Sequence, residues 1–152
     1  MEVRLNKLLC TLACAGMVSL ATAGSPETGV GIGFIFGNPS GISVKIPTGA
    51  NSVNFTVGYE LRHEDVALRG EYVWYAYELI PVQKGKLPLY FGPGLQASIR
   101  KDPAIGVHGV VGLEYQFADL PFDAFLEVGP GISVIPSTRA DLSVGLGARF
   151  FF

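Results

Sequence analysis

Across residues 105–117, Ile105, Val107, Gly109, Val111, Leu113, Tyr115 and Phe117 alternate with Gly106, His108, Val110, Gly112, Glu114 and Gln116. Side chains of an extended strand point to opposite faces in turn, whereas a helix repeats every 3.6 residues. Period two sustained over this length predicts a strand with one apolar face and one mixed face of small, polar and charged residues. The same rhythm runs through 53–61, where Val53, Phe55, Val57, Tyr59 and Leu61 oppose Asn54, Thr56, Gly58 and Glu60. It returns in 122–134, where Phe122, Ala124, Leu126, Val128, Ile132 and Val134 oppose Asp123, Phe125, Glu127, Gly129, Gly131 and Ser133.

Eight such runs follow one another, at 29–37, 40–47, 52–61, 65–79, 87–100, 105–117, 121–135 and 140–152. Turn-forming residues separate them: Gly37 to Ser40, Thr48 to Asn51, Arg62 to Asp65, Lys84 to Lys86, Lys101 to Pro103, Ala118 to Pro121 and Pro136 to Arg139. Seven short connections between eight strands describe a meander, and an even number lets it close with both termini on one side. The chain is 49% hydrophobic and 16% charged, with 20 glycines. Outside the amino-terminal segment, no apolar run is long enough for a transmembrane helix. A greasy chain of alternating strands fits a barrel in lipid, where each strand shows lipid an apolar residue at every second position. The expected fold is all-β: an eight-stranded antiparallel up-and-down transmembrane β-barrel with short loops.

The amino terminus carries Arg4 and Lys7, an apolar run from Leu8 to about Leu20, and then Ala21, Thr22 and Ala23. This order reads as a secretory signal peptide (1–23) cut after Ala23, leaving a barrel domain over 24–152. The apolar run is short for a spanning helix of ~20 residues. Thr11, Leu12 and Ala13 are a poor match to the approach to a lipoprotein cysteine at Cys14. Cys10 and Cys14 both fall inside the signal, so the mature chain is expected to have no disulfide and no cysteine metal site. Removing Glu2, Arg4 and Lys7 leaves 9 basic residues of 11 and 12 acidic residues of 13, net −3. No basic patch points to nucleic acid.

Glycine placement indicates which face turns inward. Gly31, Gly33, Gly58, Gly92, Gly94, Gly106, Gly112, Gly129, Gly131, Gly145 and Gly147 share the polar face; only Gly70 and Gly109 fall on the apolar one. An eight-stranded barrel is narrow enough for side chains to fill, so glycines there leave room for Arg69, Tyr75, Phe125 and Arg149. The expected lumen charges are Lys45, Glu60, Arg69, Glu71, Arg100, Glu114, Asp123, Glu127 and Arg149, packed as a salt-bridged plug and not as an open pore. Folding the third hairpin about 63–64 sets Gly58 opposite Arg69, with Glu60 diagonal to it. Folding the last hairpin about Ser137 sets Phe125 opposite Arg149, with Glu127 diagonal. Glu114 faces in from the sixth strand.

A soluble ligand-carrying barrel would need the reverse arrangement, with Phe55, Val57, Leu126 and Leu146 shown to water. Aromatic residues supply a second signal. Tyr72, Trp74, Tyr90, Phe91, Tyr115, Phe117 and Phe122, with Tyr75, Tyr77 and 150–152, all lie at strand ends on the side of the termini. Phe34, Phe36 and Tyr59 mark the opposite rim. Shared levels of this kind are expected of interfacial aromatic girdles.

The final strand alternates to Phe150 and Phe152. This ending resembles the C-terminal aromatic signal of bacterial outer-membrane proteins, which implies recognition by the outer-membrane assembly machinery through Phe150 and Phe152. The whole mature chain resembles small eight-stranded barrels of the OmpA/OmpX type. Gly85 to Gly92, with the Arg149 to Phe152 ending, is similar to a group of short, largely uncharacterised bacterial outer-membrane proteins. The resemblance implies a monomer in outer-membrane lipid. Its few-residue loops depart from that class and argue against an adhesin or receptor role.

Chemistry is sparse. Lipid-modifying barrels need a His, Ser and acid set reachable from the membrane. His63 stands in a turn beside Glu64 and Asp65, and His108 points into the lumen near Ser98. Adjacent residues on a tight turn do not converge on one metal ion, and no glycine-rich loop opens a helix to cradle phosphate. The expectation is therefore a barrel of structural or unspecified role, with no catalytic, metal or cofactor residue. The alternative is a lipid-A-modifying or small-ligand-binding barrel.

Overall fold

The computed structural model describes residues 24–61 and 64–152. The segment read as a signal peptide, and Arg62 and His63 of the β3–β4 turn, lie outside the described residues. Eight strands follow in chain order: β1 (Gly31–Asn38), β2 (Ser40–Thr48), β3 (Asn51–Glu60), β4 (Asp65–Ala76), β5 (Leu89–Ile99), β6 (Ala104–Gln116), β7 (Phe122–Ile135) and β8 (Arg139–Phe151). Each pairs antiparallel with its sequence neighbours, and β8 pairs with β1, so the sheet is a closed barrel with no free edge.

The register defines the barrel. One row of paired residues runs Gly31, Lys45, Asn54, Glu71, Gly94, His108, Gly131, Asp141. Gly31 itself pairs with Phe151 across the closing seam, ten residues along β8 from Asp141. Eight strands with a stagger of ten tilt by roughly 40° to the axis, for a rise of ~3.3 Å per residue and a strand spacing of ~4.8 Å. That geometry leaves an interior only wide enough for side chains.

The chain ends are tied together. Gly24 N–H donates to the Phe151 carbonyl at 3.0 Å, and Phe152 N–H donates to the Val30 carbonyl at 3.1 Å. Residues 24–30 thereby cap the end of the barrel from which β8 leaves.

Two differences from the expected elements have local causes. β4 stops at Ala76 instead of running to 79, so the β4–β5 connection spans 77–88 and is the longest in the described chain. Pro81 and Pro88 cannot donate to a ladder, and Gly85 turns with φ +77°. Lys86 then exchanges backbone hydrogen bonds with Gln116, laying the loop along the end of β6. Besides Pro47 near the end of β2, the strands contain Pro93 and Pro130, both pointing outward. Ladder pairing lapses beside each: β4–β5 skips from Glu71/Gly94 to Trp74/Phe91, and β6–β7 from His108/Gly131 to Val111/Val128. Proline's missing N–H accounts for both gaps.

Alternation sorts the side chains as expected. Ile32, Phe34, Phe55, Val57, Leu95, Val107, Val111, Leu126, Val144 and Leu146 point out and are exposed. Lys45, Glu60, Arg69, Glu71, Glu114, Asp123 and Arg149 point in and are buried. Glycines face the bulk they accommodate. A Cβ on Gly112 would stand 2.4 Å from the Tyr90 ring, and one on Gly147 would stand 2.4 Å from the Phe125 ring. Gly112→Ala is therefore expected to destabilise the barrel by about 1–3 kcal/mol, the usual cost of overpacking. Reversible urea unfolding of the refolded protein measures it, and an unchanged midpoint would contradict the packing described.

Candidate functional site

The lumen is the part of the molecule where chemistry-bearing side chains converge, and it is built in three tiers.

The first tier lies at the end of the barrel that holds the chain termini. Arg149 of β8 directly faces Asp123 of β7 in the register. Its Nε donates to both Asp123 oxygens at 3.1 Å, and its Nη2 donates to Asp123 at 2.8 Å and to Glu114 at 2.7 Å. Lys45 reaches the other Glu114 oxygen at 2.5 Å, where Gln116 also donates at 2.7 Å. Tyr75 donates to Glu114 at 3.3 Å and bonds Ser52 at 3.0 Å. Two cations thus face two carboxylates, and all four residues are at most 2% exposed. Aromatic faces complete the enclosure: Arg149 lies 4.2 Å from the Phe125 ring centroid and Lys45 4.6 Å from that of Tyr75.

An apolar collar forms the second tier. Ile35, Val73, Tyr90, Val110 and Phe125 pack together across the lumen. Just beyond it two acids are held by single partners. Tyr90 donates to Glu127 at 2.6 Å, and His108 Nε2 lies 2.7 Å from Glu71. Gly94 makes space for the second pair, because a Cβ there would come within 2.7 Å of the His108 ring.

The third tier is the opposite mouth. Glu60 lies 3.8 Å from Arg69, and Asp65 lies 3.3 Å from Arg100.

Several sequence expectations change in detail. Tyr90 does not belong to the outer girdle: it is fully buried in the collar, on the same face as Gly92 and Gly94. Phe151 likewise points inward and is fully buried. Tyr72, Trp74, Phe91, Tyr115, Phe117 and Phe122 do lie outside, with Phe150 and Phe152. Their rings make edge contacts in Tyr72–Trp74, Tyr115–Phe117, Phe122–Phe150 and Phe150–Phe152. Arg100 sits just past the end of β5, its side chain one-third exposed at 34% and its Nε donating to the Asp102 carbonyl. The barrel opens there, so the long side chain carries its charge to water.

Both hairpin registers differ by two residues from the expected ones. Arg69 faces Thr56, not Gly58, and Arg149 faces Asp123, not Phe125, which faces Gly147. Glu60 nonetheless reaches Arg69, but Glu127 belongs to Tyr90 and not to Arg149. His108 finds Glu71 over Gly94 of the intervening strand β5 instead of Ser98. Asp65 and Asp141, which the sequence reading left out of the lumen set, face inward; strand parity alone would have placed them there.

The fold and lumen define an all-β, eight-stranded antiparallel closed barrel with a packed, charge-neutralised interior. No protein-family model, curated protein or solved structure matches the chain.

Removing one member of a buried ion cluster leaves the others uncompensated. Arg149→Met is expected to destabilise the barrel by about 3–5 kcal/mol, because Glu114 and Asp123 both depend on it. Glu127→Gln, which keeps a hydrogen-bond acceptor for Tyr90, is expected to cost about 1 kcal/mol. Paired urea titrations check the order, and equal losses would mean that Glu127, not Asp123, balances Arg149.

Proposed function

We propose that the protein is an integral β-barrel of a bacterial outer membrane, exported with removal of 1–23 and inserted as a monomer by the outer-membrane assembly machinery. Its role there is structural: a sealed element of the wall, not a pore. One observation carries this reading. Among the described strands, no Asp, Glu, Lys, Arg or His stands at an outward position, while twelve of them stand at inward ones between Lys45 and Arg149. Water would favour the opposite arrangement, and a soluble monomer does not usually expose apolar patches beyond a few hundred Å².

Dimensions and chemistry support it. Strands β5, β6 and β8 have 11, 13 and 13 residues. At ~3.3 Å per residue and a tilt of about 40° they rise roughly 28–33 Å, enough for the ~25 Å apolar band of an outer-membrane barrel. Tyr72, Trp74, Phe91, Tyr115, Phe117, Phe122, Phe150 and Phe152 ring one end of that band, where amphipathic rings suit the headgroup level. Asn38, Ser40, Thr48 and Asn51, the polar outward residues, stand at strand ends.

Lumen packing speaks against conduction. The Arg149 cluster and the collar of Ile35, Val73, Tyr90, Val110 and Phe125 lie in series across the only axial path through the described barrel. An ion crossing it would have to displace buried side chains held by short ion pairs.

Two measurements test the proposal. Val111→Arg is expected to cost about 2–4 kcal/mol of stability in lipid vesicles, and Thr48→Arg, at the rim, about 0–1 kcal/mol. A barrel designed for water would tolerate both alike. In planar bilayers the wild-type protein is expected to give no steady conductance steps; large, reproducible steps would show an open lumen.

A further inference from the structure

The mouth opposite the chain termini is not filled like the rest of the lumen. A cavity of about 80 Å³ lies there, bounded by Glu60, Asp65, Arg69, Gln96, Arg100 and Asp141. Two of these groups are buried without a hydrogen-bond partner among the described residues: the Nε of Arg69 and the Oδ1 of Asp141. Arg69 is well inside, its side chain 6% exposed. Glu60 stands 3.8 Å from its Nη2, near enough for attraction but too far for a hydrogen bond. Arg100 is already engaged by Asp65 and by the Asp102 carbonyl.

The space between is maintained by a glycine. Gly131 faces Asp141 in the β7–β8 register. A Cβ at Gly131 would stand 2.5 Å from Asp141 Oδ1 and 2.9 Å from Gln96 Nε2. Any larger residue would push these two side chains into the cavity. One wall therefore offers a spare guanidinium donor, and another wall a spare carboxylate acceptor.

Leaving such groups buried and unpaired is costly. What satisfies them must match both. A simple anion would pair with Arg69 but lie among Asp141, Glu60 and Asp65. A simple cation would suit Asp141 and face Arg69, Arg100 and Arg139. The mouth's three arginines and three carboxylates cancel, which selects for a ligand that also carries both signs. The cavity has room for waters or for the head group of one small molecule.

We propose that this mouth binds a small zwitterion of the α-amino-acid class. Its carboxylate takes the Nε edge of Arg69, where planar guanidinium and carboxylate match in a two-point contact. Its ammonium group takes Asp141, and its side chain extends toward the open rim. The site uses only inward-facing residues of one mouth, so it stands whether or not the outer face meets lipid.

The test is a titration of the refolded full-length barrel in detergent micelles, following the side-chain N–H resonances of Arg69 and Gln96 by NMR. Glycine, acetate and methylammonium are added separately. Glycine is expected to move the Arg69 Nε–H signal saturably and to bind roughly tenfold tighter than acetate, equivalent to ~1.4 kcal/mol. Methylammonium is expected to leave that signal in place. In Asp141→Asn, glycine should fall to the affinity of acetate, and in Arg69→Gln neither should bind. Equal affinity of glycine and acetate for the wild type would overturn the proposal. So would a signal that none of the three moves, which would mean that water alone occupies the cavity. The wild-type comparison decides the matter by itself should either variant fail to fold.

Discussion

Everything inside this protein follows from how narrow an eight-stranded barrel is. Eight strands with a stagger of ten enclose a column that cannot hold a full ring of large side chains at any level. Many of the bulky inward residues therefore face a residue with no side chain. Gly112 yields to Tyr90, Gly147 to Phe125, Gly145 to Ile35, Gly31 to Phe151 and Gly94 to His108, in every case with a hypothetical Cβ under 3.0 Å from the neighbour. Glycine is ordinarily a weak strand residue. Here its cost is offset by the packing it permits across the lumen.

The same narrowness decides how charge is handled. Cations and carboxylates turned inward cannot keep full hydration, so they must satisfy one another. Glu114 shows the logic: fully buried, it accepts from Lys45, Gln116, Tyr75 and Arg149. Such a cluster is not evidence of great net stability, because desolvation opposes the attraction. It does specify register. Sliding β8 by two residues against β7 would keep every face correct yet separate Arg149 from Asp123.

Polar cohesion lessens along the axis. Beside the termini, four charges are tightly interlocked. Past the apolar collar, Glu127 and Glu71 keep one hydrogen-bonded partner each from Tyr90 and His108. At the far mouth, the Glu60–Arg69 contact lengthens to 3.8 Å and a cavity opens. The barrel is packed shut at one end and hollow at the other, an asymmetry that the strands' uniform outer surface does not reveal.

Strand count, the closed all-β fold and the sorting of faces were legible in the sequence, because period-two alternation is a local property that each strand carries alone. Lys45, Glu114, Asp123 and Arg149 were placed inward on that basis, and the structure brings them together. Aromatic composition at a strand end points Tyr90 to the outer ring, but parity puts it inside beside Gly92, where the structure has it. Pairing was another matter. A register error of two residues moves no side chain to the wrong face, so alternation cannot detect it. Only the assembled barrel, with turn lengths, closure of β1 on β8 and the fit of Arg149 to Asp123 all satisfied together, selects which acid meets which base. The partners of His108 and Glu127, and the spare groups at the mouth, depend on strands distant in sequence crossing one lumen. They are tertiary facts, because no stretch of chain contains both members of any of these pairs.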